Sequence, residues 1–196
     1  MGVNRPKSLG RHVTAETLGA TWYGLAMANP RGQVTPSKGS FVIELAEAEA
    51  PKTVANFLGY VDAAHYDGTI FHRVIDGFMV QGGGYDPSFV KRTPRAPVQN
   101  EADNGLKNVV GTAEMARTSD PHSATAQFFV NVANNAFLDH KNKSDQGWGY
   151  TVFGRVVEGM DVVDDIRRQP TGSKGPFRKD APLEDVVIQS VRRHPG

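Results

Sequence analysis

The run Ile70-Phe71-His72-Arg73-Val74-Ile75-Asp76-Gly77-Phe78-Met79-Val80-Gln81-Gly82-Gly83-Gly84 decides how the chain is read. Ile70 to Val74 reads as a strand, with Phe78 to Gln81 close behind it. On strict alternation Phe71, Arg73 and Ile75 share one face of the first strand and His72 and Val74 share the other. An arginine pointing the same way as a phenylalanine and an isoleucine is poor core design unless it lines a site. The competing reading is an edge-strand arginine that snorkels to water, and this segment alone leaves both open. The closing glycines lack the Gly-Lys-Ser/Thr ending of a phosphate loop, and Pro87 and Phe89 do not start a phosphate-binding helix. A tight turn or bulge is what they support.

Working outward, Phe41 to Leu45 reads as a strand. Pro51 sits where the first turn of a helix tolerates proline, and Val54, Phe57, Leu58 and Val61 follow at the spacing of one apolar helical face. Beyond a polar, proline-rich loop from Pro87 to Gly105, further strands are expected over Val109 to Met115, Gln127 to Val132, Tyr150 to Val157 and Asp185 to Val191. A short helix is expected from Met160 to about Arg168, with Val163 and Ile166 on its buried face. Many short strands with two helices, and 21 glycines and 12 prolines for the turns, imply a mainly β fold, an antiparallel barrel or sandwich. No fixed-period repeat and no linker divide the body, so residues 39–196 are expected to form one domain.

Residues 1–38 differ from the rest. Arg5, Lys7, Arg11 and His12 precede the first acid, Glu16, and a mildly apolar stretch runs from Leu18 to Ala28, interrupted by Gly19, Thr21, Tyr23 and Gly24. Three readings stand side by side: a targeting segment, an extension that packs on the domain or on an assembly partner, and sequence upstream of a start at Met27.

Composition excludes several function classes. The 196 residues carry a net charge of +1 with the basic residues scattered, which gives no nucleic-acid surface. The apolar runs are far short of the ~20 residues that span a bilayer. With no cysteine there is no disulfide, zinc-thiolate site or cysteine nucleophile. The six histidines show no i, i+4 pairing, and neither a nucleophile elbow nor a zinc-binding helix motif occurs, so neither metal nor cofactor is expected.

A second segment narrows the choice: Gly111-Thr112-Ala113-Glu114-Met115-Ala116-Arg117, then Ser123-Ala124-Thr125-Ala126-Gln127-Phe128-Phe129-Val130. Taken with Phe71 to Gly83, it resembles the cyclophilin family of peptidyl-prolyl isomerases. Ala126-Gln127-Phe128-Phe129 has alanine where the family has serine. Phe153-Gly154-Arg155-Val156 and Gly159-Met160-Asp161-Val162-Val163 match later family landmarks in order, so the resemblance covers about Gly39 to Arg192. Ala116-Arg117-Thr118 and Gln146-Gly147-Trp148-Gly149-Tyr150 are similar to the compact bacterial branch. The resemblance implies a closed eight-stranded antiparallel barrel capped by two α-helices. It also implies rotation of X-Pro bonds in peptides and unfolded proteins, in the service of protein folding, with no covalent intermediate.

The same resemblance assigns roles. Arg73 would donate to the proline nitrogen in the twisted state; Phe78, Met79, Phe129 and Leu138 would grip the proline ring, though core packing explains each of these apolar residues equally well when taken singly. Gln81 and Gln127 would orient Arg73 or bond the substrate backbone, and Ala116 and Arg117 would line the groove before the proline with a backbone edge that pairs with an extended peptide. Phe137 stands where many relatives carry the tryptophan that helps bind cyclosporin, so weak cyclosporin binding is expected. Tyr150 aligns with a histidine and Arg117 with an asparagine of many relatives, and Trp148 reads as a packed loop residue. A monomer in the cytoplasm is the expectation, with an organelle matrix or an exported location left open by the first 38 residues. The rival reading is a non-catalytic binder of proline peptides.

Overall fold

The structure, a computed structural model, describes residues 1–2 and 29–195. In chain order its strands are β1 (Arg31–Pro36), β2 (Phe41–Leu45), β3 (Thr69–Ile75), β4 (Met79–Gly82), β5 (Thr112–Met115), β6 (Phe128–Asn131), β7 (Val152–Glu158), β8 (Thr171–Lys174), β9 (Phe177–Pro182) and β10 (Val187–His194). Helix α1 (Pro51–Asp62) lies between β2 and β3, and α2 (Met160–Arg167) follows β7. The order β1-β10-β3-β4-β6-β5-β7-β2 closes into a barrel, every pair antiparallel, while β8 and β9 form a separate hairpin. Closure leaves no open sheet edge.

The barrel is filled by the inward residues of its strands and by one face of each helix. Val54, Phe57, Leu58 and Val61 of α1 and Val163 and Ile166 of α2 join Phe41, Ile43, Phe71, Phe128 and Phe153 in one apolar cluster. The Phe57 ring lies 5.1 to 5.7 Å from those of Phe153, Tyr66 and Phe128, in the tilted and edge-on arrangements aromatic rings prefer. Pro51 opens α1, where a missing N–H leaves nothing unsatisfied. The donors that follow are met from outside the helix: the Glu101 carboxylate accepts the Thr53 N–H at 2.8 Å, the Thr53 hydroxyl at 2.7 Å and the Lys52 N–H at 3.2 Å. A negative charge there also suits the positive end of the helix.

Two expectations change. The domain does not begin at residue 39: β1 pairs with β10 from Arg31↔His194 to Val34↔Val191 and with β2 from Arg31↔Glu44 to Val34↔Phe41, so residues 31–36 close the barrel. Val34 is the strand's one large apolar side chain, which leaves β1 without the hydrophobic alternation by which a strand is recognised. The three readings of the N-terminal extension concern residues outside the described ones. The hairpin β8–β9 carries no strand signal in the sequence, because its Lys/Arg/Gly-rich residues show no run of alternating apolar side chains. The strand expected over Val109 to Met115 starts only at Thr112; Val109 and Val110 are exposed.

Candidate active site

Strict alternation fails in β3. Phe71 pairs with Gly82 and Arg73 with Gln81, so His72 is an extra residue in β3 at a bulge. Phe71 and Val74 therefore both face the barrel core, and His72 and Arg73 both face outward. That corrects the expectation that His72 points away from Arg73's face and that Phe71 shares that face. A bulge re-aims side chains, and here it delivers a cation to a pocket without putting it in the core.

The pocket is about 320 Å³, and its lining unites Arg73, Phe78, Met79, Gln81, Ala116, Arg117, Gln127, Phe129, Leu138 and Tyr150 with His72, Tyr85 and Phe177. Met79, Phe129 and Leu138 form a small apolar cluster of their own, against which Ile75, Phe78, Ala116 and Tyr150 pack. Among the described residues, no aspartate or glutamate lines the pocket. Arg73 donates to Gln81 Oε1 at 3.4 Å, Gln81 donates to Gln127 Oε1 at 3.0 Å, and the Arg73 guanidinium carbon is 5.9 Å from the centre of the Phe78 ring. Gly84 belongs to this arrangement: a Cβ there would stand 2.5 Å from the Gln127 side chain. Gly83, with φ of +83°, makes the turn that β4 needs at its end.

On the other flank the Arg117 guanidinium lies 4.6 Å from the Tyr150 ring centre and donates to the carbonyls of Gly149 and Thr118, each at 2.9 Å. Tyr150 in turn meets Phe129 edge-on at 5.8 Å. Ala116 N–H is engaged by Gln127 O at 2.9 Å. Phe137 lies outside the pocket lining, 64% exposed, with its ring 5.6 Å from that of Phe78. Trp148 is buried between the rings of His122 and His140, as expected of a packed loop residue. A separate cavity of about 360 Å³, bordered by Glu44, Glu49, Lys107 and Arg155, contains none of the residues expected in the site, whereas a wider one of about 690 Å³ adjoins Arg117 and Tyr150. Among the described residues no group of three or more His, Cys, Asp or Glu is placed to hold a metal ion.

A cation and two glutamines facing an apolar pocket on the outside of a closed barrel is the arrangement the sequence resemblance implies, and comparison with known proteins bears on the family and the fold. The description "Cyclophilin type peptidyl-prolyl cis-trans isomerase" matches residues 32–193. The chain belongs to the cyclophilin family. It is 59% identical to a peptidyl-prolyl cis-trans isomerase of Streptomyces antibioticus over 82% of this chain and 96% of that one. It is 55% identical to peptidyl-prolyl cis-trans isomerase B of Escherichia coli over 78% and 93%. Among solved structures, a Cryptosporidium parvum cyclophilin crystallised in the presence of the dipeptide Ala-Pro superposes with a TM-score of 0.71 at 24% identity, covering 85% of this chain and 99% of that one; this likeness speaks to the fold. Among the described residues, no helix of this cyclophilin is long and apolar enough to cross a membrane.

Three residues of the cyclophilin pocket escaped sequence reasoning: His72, Tyr85 and Phe177. Phe177, on the β8–β9 hairpin, stacks on His72 at 5.2 Å, and Tyr85 meets both rings edge-on. The one available signal was Phe177 itself, a lone aromatic among polar residues. Burial disfavours a charged His72 imidazole and the Arg73 cation repels it, which takes the pKa down to about 4, and its Nδ1 has no partner among the described residues. A base with a depressed folded pKa stabilises the fold above its unfolded pKa of 6.5 and loses that contribution as pH falls from 6.5 through about 4. Fully expressed, the loss amounts to about 3 kcal/mol. His72→Gln should flatten the fall in unfolding free energy between pH 7 and 4 by a measurable part of that. An unchanged slope in denaturant titrations would assign the acid sensitivity elsewhere.

Proposed function

We propose that this cyclophilin rotates X-Pro bonds by holding the proline ring against Phe78, Met79, Phe129 and Leu138 while Arg73 donates to the proline nitrogen. The barrier to be lowered is ~18–20 kcal/mol, because rotation breaks amide resonance. In the twisted state the nitrogen recovers a localised lone pair, which it lacks in either planar state. A donor aimed at that lone pair stabilises the twisted state selectively, which is what acceleration requires. No bond is made or broken, so the reaction calls for no nucleophile. Arginine suits the task because its charge is permanent and its donors are rigidly arranged. The observation that carries this reading is the pairing of Arg73, steadied by Gln81 and Gln127, with an apolar wall in a pocket that no carboxylate of the described residues lines.

The groove beyond the pocket receives the residues before the proline. With Ala116 N–H already bonded to Gln127, pairing with an extended peptide falls to the Arg117 backbone, and the side chain of Arg117, folded onto Tyr150, keeps that edge clear. The substrates are proline-containing peptides and unfolded chains, whose X-Pro bonds are exposed.

The test is the cis-to-trans exchange rate of a short Ala-Pro peptide, followed by NMR without a coupling protease. Acceleration by orders of magnitude supports the reading. Binding of the peptide without acceleration would make the chain a recognition module instead.

Cyclosporin affinity follows from Phe137. Its ring continues the pocket wall past Phe78 but carries no N–H. An indole adds contact area and a donor. Phe137→Trp is expected to tighten cyclosporin by about tenfold, some 1.4 kcal/mol, with peptide rotation retained. Equal affinity of the two forms in a calorimetric titration sinks this expectation.

A further inference from the structure

Among the described residues, the buried carboxyl of Glu114 has no cation beside it. Glu114 on β5 is fully buried and its Oε2 has no hydrogen-bond partner among the described residues. Its Oε1 accepts from Asn131 Nδ2 at 2.8 Å and touches the Thr112 hydroxyl. That hydroxyl has one proton, and the Val109 carbonyl, 2.8 Å away, can only accept it. With that proton so used, the contact between Thr112 and Glu114 needs a proton from the carboxyl. Burial pushes the same way, holding the Glu114 pKa well above the usual carboxylate range, and the nearby Asp139 adds repulsion. The cation of this region, Lys107, lies 3.6 Å from Asp139.

From Glu114 the polar chain runs to the proline pocket. Asn131 Oδ1 accepts from Asn135 Nδ2 at 2.6 Å, and the same amide nitrogen donates to the Phe78 carbonyl at 3.0 Å. The Asn135 carbonyl accepts the Leu138 N–H at 2.8 Å. Glu114 is itself the cross-strand partner of Phe129. Phe78, Leu138 and Phe129, three walls of the pocket on three separate segments, thus meet one buried polar cluster. An apolar residue at 114 would fill the space more cheaply, since a buried carboxyl is expensive unless fully bonded. A partly satisfied acid retained behind the pocket calls for a role.

We propose that Glu114, as a neutral carboxylic acid, is a positioning residue that sets the three apolar walls of the proline pocket through Asn131 and Asn135. The proposal rests on the isomerase reading above for its kinetic arm. Glu114→Ala is expected to lower kcat/KM per folded molecule about tenfold, as misplaced walls grip the ring less well. It should also shift the backbone amide resonances of Phe78, Phe129 and Leu138. Glu114→Gln keeps the shape, the neutrality and a bond to Asn131, and should stay within about twofold of wild type. A purely structural role would lower the unfolding free energy while leaving those resonances and kcat/KM in place, and that result overturns the proposal. So does a Gln variant as impaired as the Ala variant.

Should Glu114→Ala fail to fold, the carboxyl carbon resonance of Glu114 in the wild-type protein decides at neutral pH. The shift of a protonated acid supports the assignment, and that of a carboxylate removes it. A wild-type chain that does not accelerate rotation at all sinks the isomerase reading; the amide and carboxyl resonances, which need no turnover, then decide the link between Glu114 and the pocket.

Discussion

Arg73→Ala should lower kcat/KM for an Ala-Pro peptide by about 10²–10³, the range seen when a preorganised donor to a developing charge is removed. The chain should remain folded. Arg73 is half-buried and, among the described residues, makes one long side-chain hydrogen bond, at 3.4 Å to Gln81, and has no carboxylate in its pocket to be left unpaired. Removing it leaves no buried group stranded, so the change in unfolding free energy is expected to stay near 1 kcal/mol or below. The loss should fall on the rate of the bound peptide more than on its affinity, because the apolar walls are untouched and the donor acts mainly on the twisted state. Arg73→Lys should recover little, since a mobile ammonium lacks the fixed donor geometry. Exchange NMR on wild type and variant, with a denaturant curve for each, measures both quantities. A variant that keeps wild-type turnover takes the donor role away from Arg73. One that loses turnover through unfolding would make Arg73 a structural residue instead.

The division between what the sequence discloses and what it hides follows the range of the interactions. Helix α1 is legible because Pro51 and the spacing of Val54, Phe57, Leu58 and Val61 are local properties. Strand β2 is legible for the same reason, since Phe41, Val42, Ile43 and Leu45 are all apolar. Strand β1 is not, because Arg31 to Pro36 becomes a strand by pairing with β10 at the far end of the chain. The bulge at His72 is a property of the pairing between β3 and β4, and residue alternation along one strand is blind to it. The pocket is a similar case. Arg73, Phe78, Met79, Gln81, Gln127 and Phe129 could be named because the family resemblance names them; composition and period alone could not separate Phe129 from a core phenylalanine. The Glu101 carboxylate on the first turn of α1 and the Arg117 guanidinium over Tyr150 join residues about fifty and thirty positions apart, and no short-range rule reaches them.

Phe128 and Phe129 turn that division into an experiment, since consecutive residues of a strand face opposite ways. Phe128 points into the barrel, fully buried, with its ring 5.5 to 6.3 Å from those of Tyr66, Phe57 and Phe71. Phe129 points outward into the Arg73 pocket beside Met79 and Leu138. Phe128→Ala leaves a sealed void among aromatic rings and should remove about 3–5 kcal/mol. That is a large part of the ~5–15 kcal/mol that holds a typical domain together. In a chain of this size it corresponds to a fall of roughly 10 °C in Tm. The molecules that remain folded should turn over peptide at close to the wild-type rate, because the ring does not line the pocket. Phe129→Ala merges its space with a surface pocket instead of leaving a sealed void, so the cost to stability should be smaller, about 1–2 kcal/mol. It also removes the wall against which the proline ring is proposed to rest, and kcat/KM should drop at least tenfold, the equivalent of ~1.4 kcal/mol of transition-state binding. Thermal unfolding and exchange NMR on the same two samples read both effects. If Phe129→Ala proves the more destabilising of the two, or Phe128→Ala the more damaging to turnover, the assignment of inward and outward faces on β6 is wrong. The pocket would then need to be rebuilt on the other side of the sheet.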